Sequence, residues 1–303
     1  MAKRKSGRDV HGILLLDKRL GVSSNQALQE VRRLFNANKA GHTGSLDPLA
    51  SGLLPLCFGE ATKVSAMLLD EDKRYQVTIR LGVMTDTGDS EGQVIKQMPV
   101  PEISEPLLLD CLQAFTGEIL QVPPMYSALK HQGKKLYELA RAGQVIERKP
   151  RAIEIKALEL LEFSQEFMSL DVLCSKGTYI RSLAEDIAEK LGCCGSVVAL
   201  RRTATGCFNL ANAYTYDALR DLSPDSLHAC LLPVDTPLSF MPKVDLTDSQ
   251  ALLIKQGQQI DVDVSHAGAV RIYNTHVFLG LGELLLNGKL APKKIFHLDN
   301  QIL

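Results

Sequence analysis

The segment from residue 41 to residue 52 combines a histidine, a carboxylate and three glycines. Its sequence is GHTGSLDPLASG, in which His42 and Asp47 are the side chains able to do chemistry. Glycine permits backbone angles that a Cβ forbids, so the chain can bend here and approach a ligand closely. A carboxylate can act as a nucleophile and later as a leaving group. The segment therefore predicts a loop that presents Asp47 to a ligand.

Asp47 also has a structural explanation. An aspartate followed by Pro48 and the apolar run LASGLLPL is typical of a helix that begins with an aspartate N-cap and a proline at its first position. The local pattern alone favours this explanation. The two roles are compatible, because a helix dipole would help to keep a catalytic carboxylate ionised.

The elements around this loop predict an α+β fold with a mixed or antiparallel sheet. GILLLDK at 12–18 is typical of a buried strand, and Ser23 or Ser24 can cap a helix over Leu28 to Phe35. Strands and helices intermix without regular βαβ alternation, which argues against a doubly wound fold. The other predicted elements are a helix near 64–68, a strand from Tyr75 to Leu81, a turn at 85–92, strands at 93–98, 152–160 and 169–174, and a helix at 180–191.

A second, smaller domain is predicted at the C-terminal end. Pro233, Pro237 and Pro242 indicate a linker. Glycine-punctuated apolar runs then predict strands at 269–273, 276–282 and 283–287. We therefore expect a catalytic or binding domain at 1–235 and a small β-rich domain at 243–303.

Composition excludes several classes of protein. The 303 residues are 45% hydrophobic and 23% charged, which is ordinary for a globular protein and excludes disordered and fibrous classes. The apolar runs are too short to span a bilayer and no signal peptide is evident, so we expect a cytoplasmic protein without a membrane partner. Seven cysteines without a C-x-x-C pair, and scattered histidines, indicate neither a disulfide framework nor a metal site.

Positive charge is clustered although the formal net charge is only −1. Local clusters of this kind indicate a face that binds a polyanion, but a solvated helix face explains them equally well. One cluster is N-terminal and comprises Lys3, Arg4, Lys5, Arg8, Lys18 and Arg19; the other lies within residues 125–151 and comprises Lys130, Lys134, Lys135, Arg141, Arg148, Lys149 and Arg151.

Five segments together resemble one family, the TruB-type tRNA pseudouridine synthases of bacteria, which isomerise uridine 55 in the T loop. The resemblance runs in the family's order from about residue 10 to residue 205, and the aspartate-loop motif is highly specific. The segments are GILLLDK with GVSSN, AGHTGSLDPLASGLLPLCFGEATK, DKRYQVTIRLGVMTDTGD, MYSALKHQGKKLYELARAG, and CSKGTYIRSLAEDIAEKLGC with ALRR.

The resemblance implies a role for individual residues. Asp47 matches the catalytic aspartate, Tyr75 the active-site tyrosine and Arg181 the arginine that pairs with the aspartate. The expected substrate-binding residues are His42, which engages displaced T-loop nucleotides, Tyr75, Tyr179 and Leu200 at the uracil, and Lys18 without a defined role. The basic insertion near 125–151, with Lys130, Lys134, Lys135 and Arg141, is expected to hold RNA phosphates.

One departure from the family pattern is visible, since Lys18 is followed by Arg19 where the family usually has proline. The change frees a backbone angle but touches no reacting group, so a small effect is expected. The C-terminal segment resembles the family's PUA-like RNA-binding domain loosely. No cofactor and no protein partner are implied, and a monomer is expected.

The sequence leaves three hypotheses open. The first is a cofactor-free tRNA uridine isomerase, in which the uridine is flipped out of the stacked loop and Asp47 attacks either C1′ or C6. The second is an RNA-binding or tRNA-folding module in which Asp47 only caps a helix. The third, a hydrolase that releases free uracil, is weaker because no second carboxylate lies at a telling spacing.

Overall fold

A computed structural model describes residues 7–263 and 267–298 of the chain. Lys3, Arg4 and Lys5 of the N-terminal basic cluster lie outside these residues, as do 264–266 and 299–303 of the C-terminal segment. Within the described ranges, no helix is both long enough and apolar enough to cross a membrane.

The chain forms strands and helices in an irregular alternation. The strands are β1 (Gly12–Lys18), β2 (Ala40–His42), β3 (Ala50–Phe58), β4 (Lys73–Leu81), β5 (Val83–Thr85), β6 (Val94–Gln97), β7 (Gly117–Gln121), β8 (Lys130–His131), β9 (Lys134–Lys135), β10 (Arg151–Phe163), β11 (Phe167–Cys174), β12 (Gly195–Thr205), β13 (Phe208–Asn209), β14 (Tyr214–Thr215), β15 (Lys243–Leu246), β16 (Ile260–Asp261), β17 (Gly268–Asn274), β18 (Val277–Leu284) and β19 (Lys289–Ile295). The α-helices are α1 (Ser24–Leu34), α2 (Ser65–Asp70), α3 (Glu105–Ala114), α4 (Leu136–Arg141), α5 (Ile180–Lys190), α6 (Tyr216–Arg220), α7 (Pro224–Ala229) and α8 (Asp248–Lys255).

A ten-stranded mixed sheet forms the main body. Its order is β14-β1-β3-β12-β4-β11-β10-β7, with β13 beside β12 and β2 beside β3. The pairs β1/β14 and β3/β12 are parallel and the others are antiparallel. This confirms the predicted α+β fold with a mixed sheet.

The prediction of a helix after Asp47 is wrong, because residues 50–58 form strand β3. Leu54 packs in the core on one face of the sheet and Leu53 in the core on the other. A strand buried on both faces reads as a continuous apolar run, which resembles a buried helix in sequence. Gly52 and Pro55 are unfavourable inside a helix and argue against one at this position, although both residue types are also uncommon inside strands. Asp47 is therefore not a helix N-cap.

Other predicted elements are confirmed. Strand β1 is buried along almost its whole length, and α1 begins after Ser23, whose hydroxyl accepts a hydrogen bond from the Gln26 N–H. The strand containing Tyr75 and the helix after Tyr179 are β4 and α5.

The C-terminal region forms a separate five-stranded sheet in the order β15-β17-β18-β19-β16. The predicted strand at 283–287 is wrong, because β18 continues to Leu284 and the chain then turns before β19. Gly288, with φ +79°, lies in that turn. Tyr273, Phe278 and Phe296 pack with Ile13 and Leu15 of β1 in one apolar cluster. The division into domains at 1–235 and 243–303 stays a prediction.

Candidate active site

The loop between β2 and β3 is fixed by short hydrogen bonds from neighbouring elements. The Ser24 hydroxyl accepts from the Leu46 N–H at 2.7 Å and donates to the Leu46 carbonyl at 3.0 Å. The Arg202 guanidinium donates to the Gly44 carbonyl at 3.1 Å, and the Gly21 N–H donates to the Pro48 carbonyl at 2.9 Å. These contacts hold the backbone on both sides of Asp47.

Asp47 forms an ion pair with Arg181. The Arg181 Nη2 lies 2.9 Å from the Asp47 Oδ2, and the Arg181 Nη1 lies 3.5 Å from the Asp89 Oδ2. The arginine side chain is 7% exposed and the Asp89 side chain 5%, whereas Asp47 keeps 45%. One buried guanidinium therefore faces two carboxylates, of which only Asp47 is open to a ligand.

The Arg181 guanidinium also donates to two carbonyls, those of Thr87 and Tyr126, each at 2.7 Å. Thr87 belongs to the turn before β6, and Tyr126 to the start of the insertion at 125–151. Gly88 lies in this turn with φ +74°, a left-handed backbone conformation that favours glycine. Arg181 thus fixes the Asp47 loop, this turn and the insertion relative to one another.

Burial raises the pKa of Asp47 above its ordinary value, and the charge of Asp89 adds to the rise. Arg181 and Lys18 oppose it. The carboxylate is open to solvent on one side, but protein atoms surround it on the others, so it still loses hydration. The opposing cations are what favour the ionised form.

Asp47 lies in a cleft of about 290 Å³, near the lower end of small-ligand sites at ~300 Å³. Tyr75, Tyr179 and Leu200 all line this cleft together with Asp47 and Arg181. Burial raises the pKa of both tyrosines, which favours their neutral phenol forms. The cleft therefore combines one carboxylate with flat or apolar walls.

The walls of the cleft are rigidly placed. Leu200 of β12 is paired with Ala50 of β3 on one side and Val77 of β4 on the other. Tyr179 precedes α5, where Gln121 accepts from its N–H at 2.8 Å and donates to its carbonyl at 3.1 Å. Five residues predicted from sequence, Asp47, Tyr75, Tyr179, Arg181 and Leu200, thus meet in one site.

His42 and Lys18 lie near this site but outside the lining of the cleft. His42 ends β2, and among the described residues its buried Nδ1 has no hydrogen-bond partner. Burial lowers the pKa of His42, which favours the neutral imidazole.

Lys18 is 1% exposed and donates to the carbonyls of Val22 at 2.7 Å and Arg19 at 3.0 Å. Burial lowers its pKa to about 8, against the opposing effect of Asp47 and Glu91. Lys18 is therefore a buried group whose positive charge helps to lower the pKa of Asp47.

The four basic residues predicted to hold RNA lie away from the cleft lining. Lys130 and Lys135 are paired across the β8–β9 hairpin, as are His131 and Lys134. Tyr137 has the Lys135 ammonium 5.3 Å and the Arg141 guanidinium 5.5 Å from its ring centroid. Lys130 and Lys134 are exposed hairpin residues and do not belong to a solvated helix face.

Sequence reasoning missed Asp89, Arg202 and Tyr126. The sequence predicts only a turn at Asp89, although the three carboxylates within TDTGDSEG also indicate a charged site. Arg202 is 1% exposed and donates to the Leu53 carbonyl at 2.7 Å. The sequence does not indicate which of the adjacent arginines, Arg201 or Arg202, is the buried one. In the described ranges, no three His, Cys, Asp or Glu side chains are grouped to hold a metal ion.

Family profiles match most of the chain. "TruB family pseudouridylate synthase (N terminal domain)" matches residues 32–180, and "tRNA pseudouridylate synthase B C-terminal domain" matches 181–239. "Pseudouridine synthase II TruB, C-terminal" matches 242–296.

Relatives of nearly the same length are also similar in sequence. A protein of Chromohalobacter salexigens named tRNA pseudouridine synthase B is 49% identical over 300 residues, covering 98% of this chain and 98% of its own. A protein of the same name from Tolumonas auensis is 50% identical over 315 residues, covering 99% of this chain and 96% of its own.

Two solved structures share the fold. "Crystal Structure of a Cbf5-Nop10-Gar1 Complex" matches with a TM-score of 0.70 and 24% identity over 95% of this chain and 85% of that one. "Structure of H/ACA RNP bound to a substrate RNA containing 2'-deoxyuridine" matches with a TM-score of 0.71 and 22% identity over 99% of this chain and 92% of that one. Both likenesses concern the fold alone. The three family matches and the near-full-length relatives show that the chain belongs to the TruB family of pseudouridine synthases, enzymes that isomerise uridine.

Proposed function

We propose that this protein isomerises uridine 55 in the T loop of tRNA to pseudouridine, with Asp47 as the nucleophile. The relatives at about half identity are named tRNA pseudouridine synthase B, which supports tRNA as the substrate. The observation that carries the catalytic assignment is the Asp47–Arg181 pair, 2.9 Å long, at a cleft lined by two tyrosines and Leu200.

The chemistry requires one carboxylate that acts twice. Asp47 attacks either C1′ of the ribose or C6 of the uracil, and the bond between C1′ and N1 breaks. The base turns, C5 bonds to C1′, and Asp47 leaves as a carboxylate. The proton on C5 is then lost and N1 gains one, so the product is an isomer of the substrate. Tyr75 lines the cleft and is the candidate to assist removal of the C5 proton.

The substrate uridine must leave its stack, because its reacting atoms are covered inside the folded T loop. Tyr75 and Tyr179 offer ring faces to the extruded base, and Leu200 closes the cleft as an apolar wall. His42 is our candidate for the residue that engages the displaced loop nucleotides. Its neutral imidazole and unpartnered Nδ1, within the described chain, support that role.

The hairpin of the insertion supports RNA binding through its charge. Lys130 and Lys135 face each other directly across β8 and β9, an arrangement that is destabilising in a hairpin by itself. The negative charge of a phosphate backbone neutralises such a repulsion, and each contact also releases condensed counterions. We therefore assign Lys130, Lys134, Lys135 and Arg141 to phosphate contacts that position the T stem.

Binding of a T-stem hairpin is expected to weaken steeply with salt, because these contacts are electrostatic. Replacing Lys130, Lys134 and Lys135 together by Gln should reduce the slope of log Kd against log salt by about 2 to 3, at roughly 0.7–0.9 per phosphate contact. Titrations at several salt concentrations measure this slope.

Lys156→Gln is the matched control, since Lys156 pairs with Asp72 on another part of the surface at 2.7 Å. This variant should keep the slope of the unmodified protein. A flat salt response of the unmodified protein, or a triple variant with an unchanged slope, would remove the patch from the binding surface.

The proposed position is tested by mapping pseudouridine in a tRNA transcript. Conversion is expected at uridine 55 and at the equivalent position of an isolated T-stem hairpin. A transcript in which that uridine is replaced by cytidine should yield none. Conversion at another position would overturn the T-loop assignment, and release of free uracil would indicate hydrolysis.

A further inference from the structure

The turn that follows β1, residues 19–22, is held by an ion pair that the mechanism above does not use. The Arg19 Nη1 lies 2.9 Å from the Glu30 Oε2, and the Arg19 Nη2 lies 3.2 Å from the Glu30 Oε1. The two hydrogen bonds form a bidentate pair, the geometry that best restrains an arginine. The Arg19 guanidinium also lies 5.3 Å from the ring centroid of Tyr216. The end of β1 is thereby joined to α1 and α6.

Glu30 has a second side-chain partner on α1 besides Arg19. The Gln26 side-chain amide donates to the Glu30 Oε1 at 3.3 Å, one helical turn away. The Glu30 side chain is 14% exposed, against 45% for Arg19. Because the Glu30 carboxylate is already restrained on α1, the ion pair restrains mainly the Arg19 side chain and the 19–22 turn.

The same turn contacts the catalytic loop directly. The Gly21 N–H donates to the carbonyl of Pro48 at 2.9 Å, and Pro48 follows Asp47. The Lys18 ammonium donates hydrogen bonds to two carbonyls of this turn, those of Arg19 and Val22. Displacement of the turn would therefore move both the Asp47 loop and the acceptors of the buried lysine.

We propose that Arg19 is a positioning residue, whose bidentate pair with Glu30 and contact with Tyr216 hold the 19–22 turn so that Lys18 and the Pro48 carbonyl stay in place beside Asp47. This inference rests on the proposed catalytic role of Asp47. A proline would fix the backbone angle at position 19 covalently; here a side-chain clamp anchored on α1 supplies the restraint.

Arg19→Ala and Glu30→Gln, in the full chain, test the clamp by single-turnover conversion of a T-stem hairpin. Both variants should lower the single-turnover rate constant by up to about fivefold, the upper end of what one surface ion pair contributes, without changing the Kd for the hairpin. The double variant should be no worse than Arg19→Ala, because that variant already removes both the ion pair with Glu30 and the contact with Tyr216.

The pH profile separates positioning from general destabilisation. Charged groups that act on Lys18 are Asp47, Glu91, Arg19 and Arg202, and those that act on Asp47 are Arg181, Asp89 and Lys18. A loosened turn lets the Lys18 ammonium move away from Asp47, so the pKa of Asp47 rises. Both variants should therefore shift the acid limb of the rate to higher pH.

Glu30→Gln leaves the Arg19 cation in place, which distinguishes positioning from RNA contact. If Arg19 instead contacts a phosphate, Arg19→Ala weakens hairpin binding and lowers its salt slope, whereas Glu30→Gln does neither; that result overturns the proposal. An unchanged single-turnover rate constant and pH profile in both variants, or additive losses in the double variant, overturn it too. Asp47→Asn in the same assay shows separately whether the proposed function holds.

Discussion

Asp47→Asn is expected to abolish pseudouridine formation while leaving the fold and RNA binding intact. Asparagine has nearly the same shape, but its amide is not a nucleophile and cannot leave as a carboxylate. Removing a nucleophile of this kind costs at least about 10⁴-fold in kcat. Pseudouridine measured in a T-stem hairpin after single-turnover reaction checks the rate, and hairpin titration checks the Kd.

Asp70→Asn is the matched control for the loss of one carboxylate. Asp70 pairs with Lys176 at 2.8 Å on the surface, where its side chain is 66% exposed, so conversion should be unchanged. Undiminished conversion by Asp47→Asn would contradict the nucleophile assignment. Hairpin binding without conversion by the unmodified protein would favour an RNA-binding module. A weakened Kd in the same variant would instead assign the carboxylate to substrate binding.

Arg181→Met is expected to lower kcat by about 10³-fold near neutral pH, the scale seen when a preorganised electrostatic partner is removed from an active site. Arg181 lowers the pKa of Asp47 against burial and Asp89. Without it the pKa of Asp47 rises further, so a smaller fraction of Asp47 is ionised at a given pH. The acid limb of the pH–rate profile should therefore move to higher pH, with part of the lost rate recovered on the alkaline side.

The same substitution leaves Asp89 buried without its cation, which destabilises a protein by about 3–5 kcal/mol. Rates must therefore be measured at a temperature where thermal unfolding shows both proteins folded. Arg74→Met is the matched control, because Arg74 contacts Asp171 at 2.6 Å yet is absent from the cleft lining. An acid limb that stays in place in Arg181→Met would contradict this account of the ion pair.

The sequence predicted most elements because their residue patterns are local. Alternation from Tyr75 to Leu81 gave β4, and the serine before an apolar 3.6-residue pattern gave α1. The segment after Asp47 failed because a strand buried on both faces has no alternation to read. One face of β3 is covered by the cluster that includes α1 and the other by the cluster that includes the C-terminal sheet, and none of these contacts is encoded locally.

The site could be predicted only through the combined motifs. Nothing near Asp47 indicates that residue 181 supplies its cation, since α5 and the Asp47 loop meet only in the fold. Asp89 and Lys18 are further cases: each changes the pKa of Asp47 through space, and no local sequence pattern indicates that either lies close to Asp47. Burial and charge at this distance follow from tertiary packing.

Strand β1 contributes side chains to two apolar clusters, one on each face of the main sheet. Ile13 and Leu15 face Tyr273, Phe278 and Phe296 of the C-terminal region, while their neighbours in the same strand face the catalytic core. Detaching the five-stranded sheet would expose the apolar side chains on this face of β1 to water, at a free-energy cost of about 25 cal/mol per Å² of apolar surface. Strand β1, which ends at Lys18, would lose these packing contacts. The small sheet and the catalytic cleft should therefore unfold in one cooperative transition.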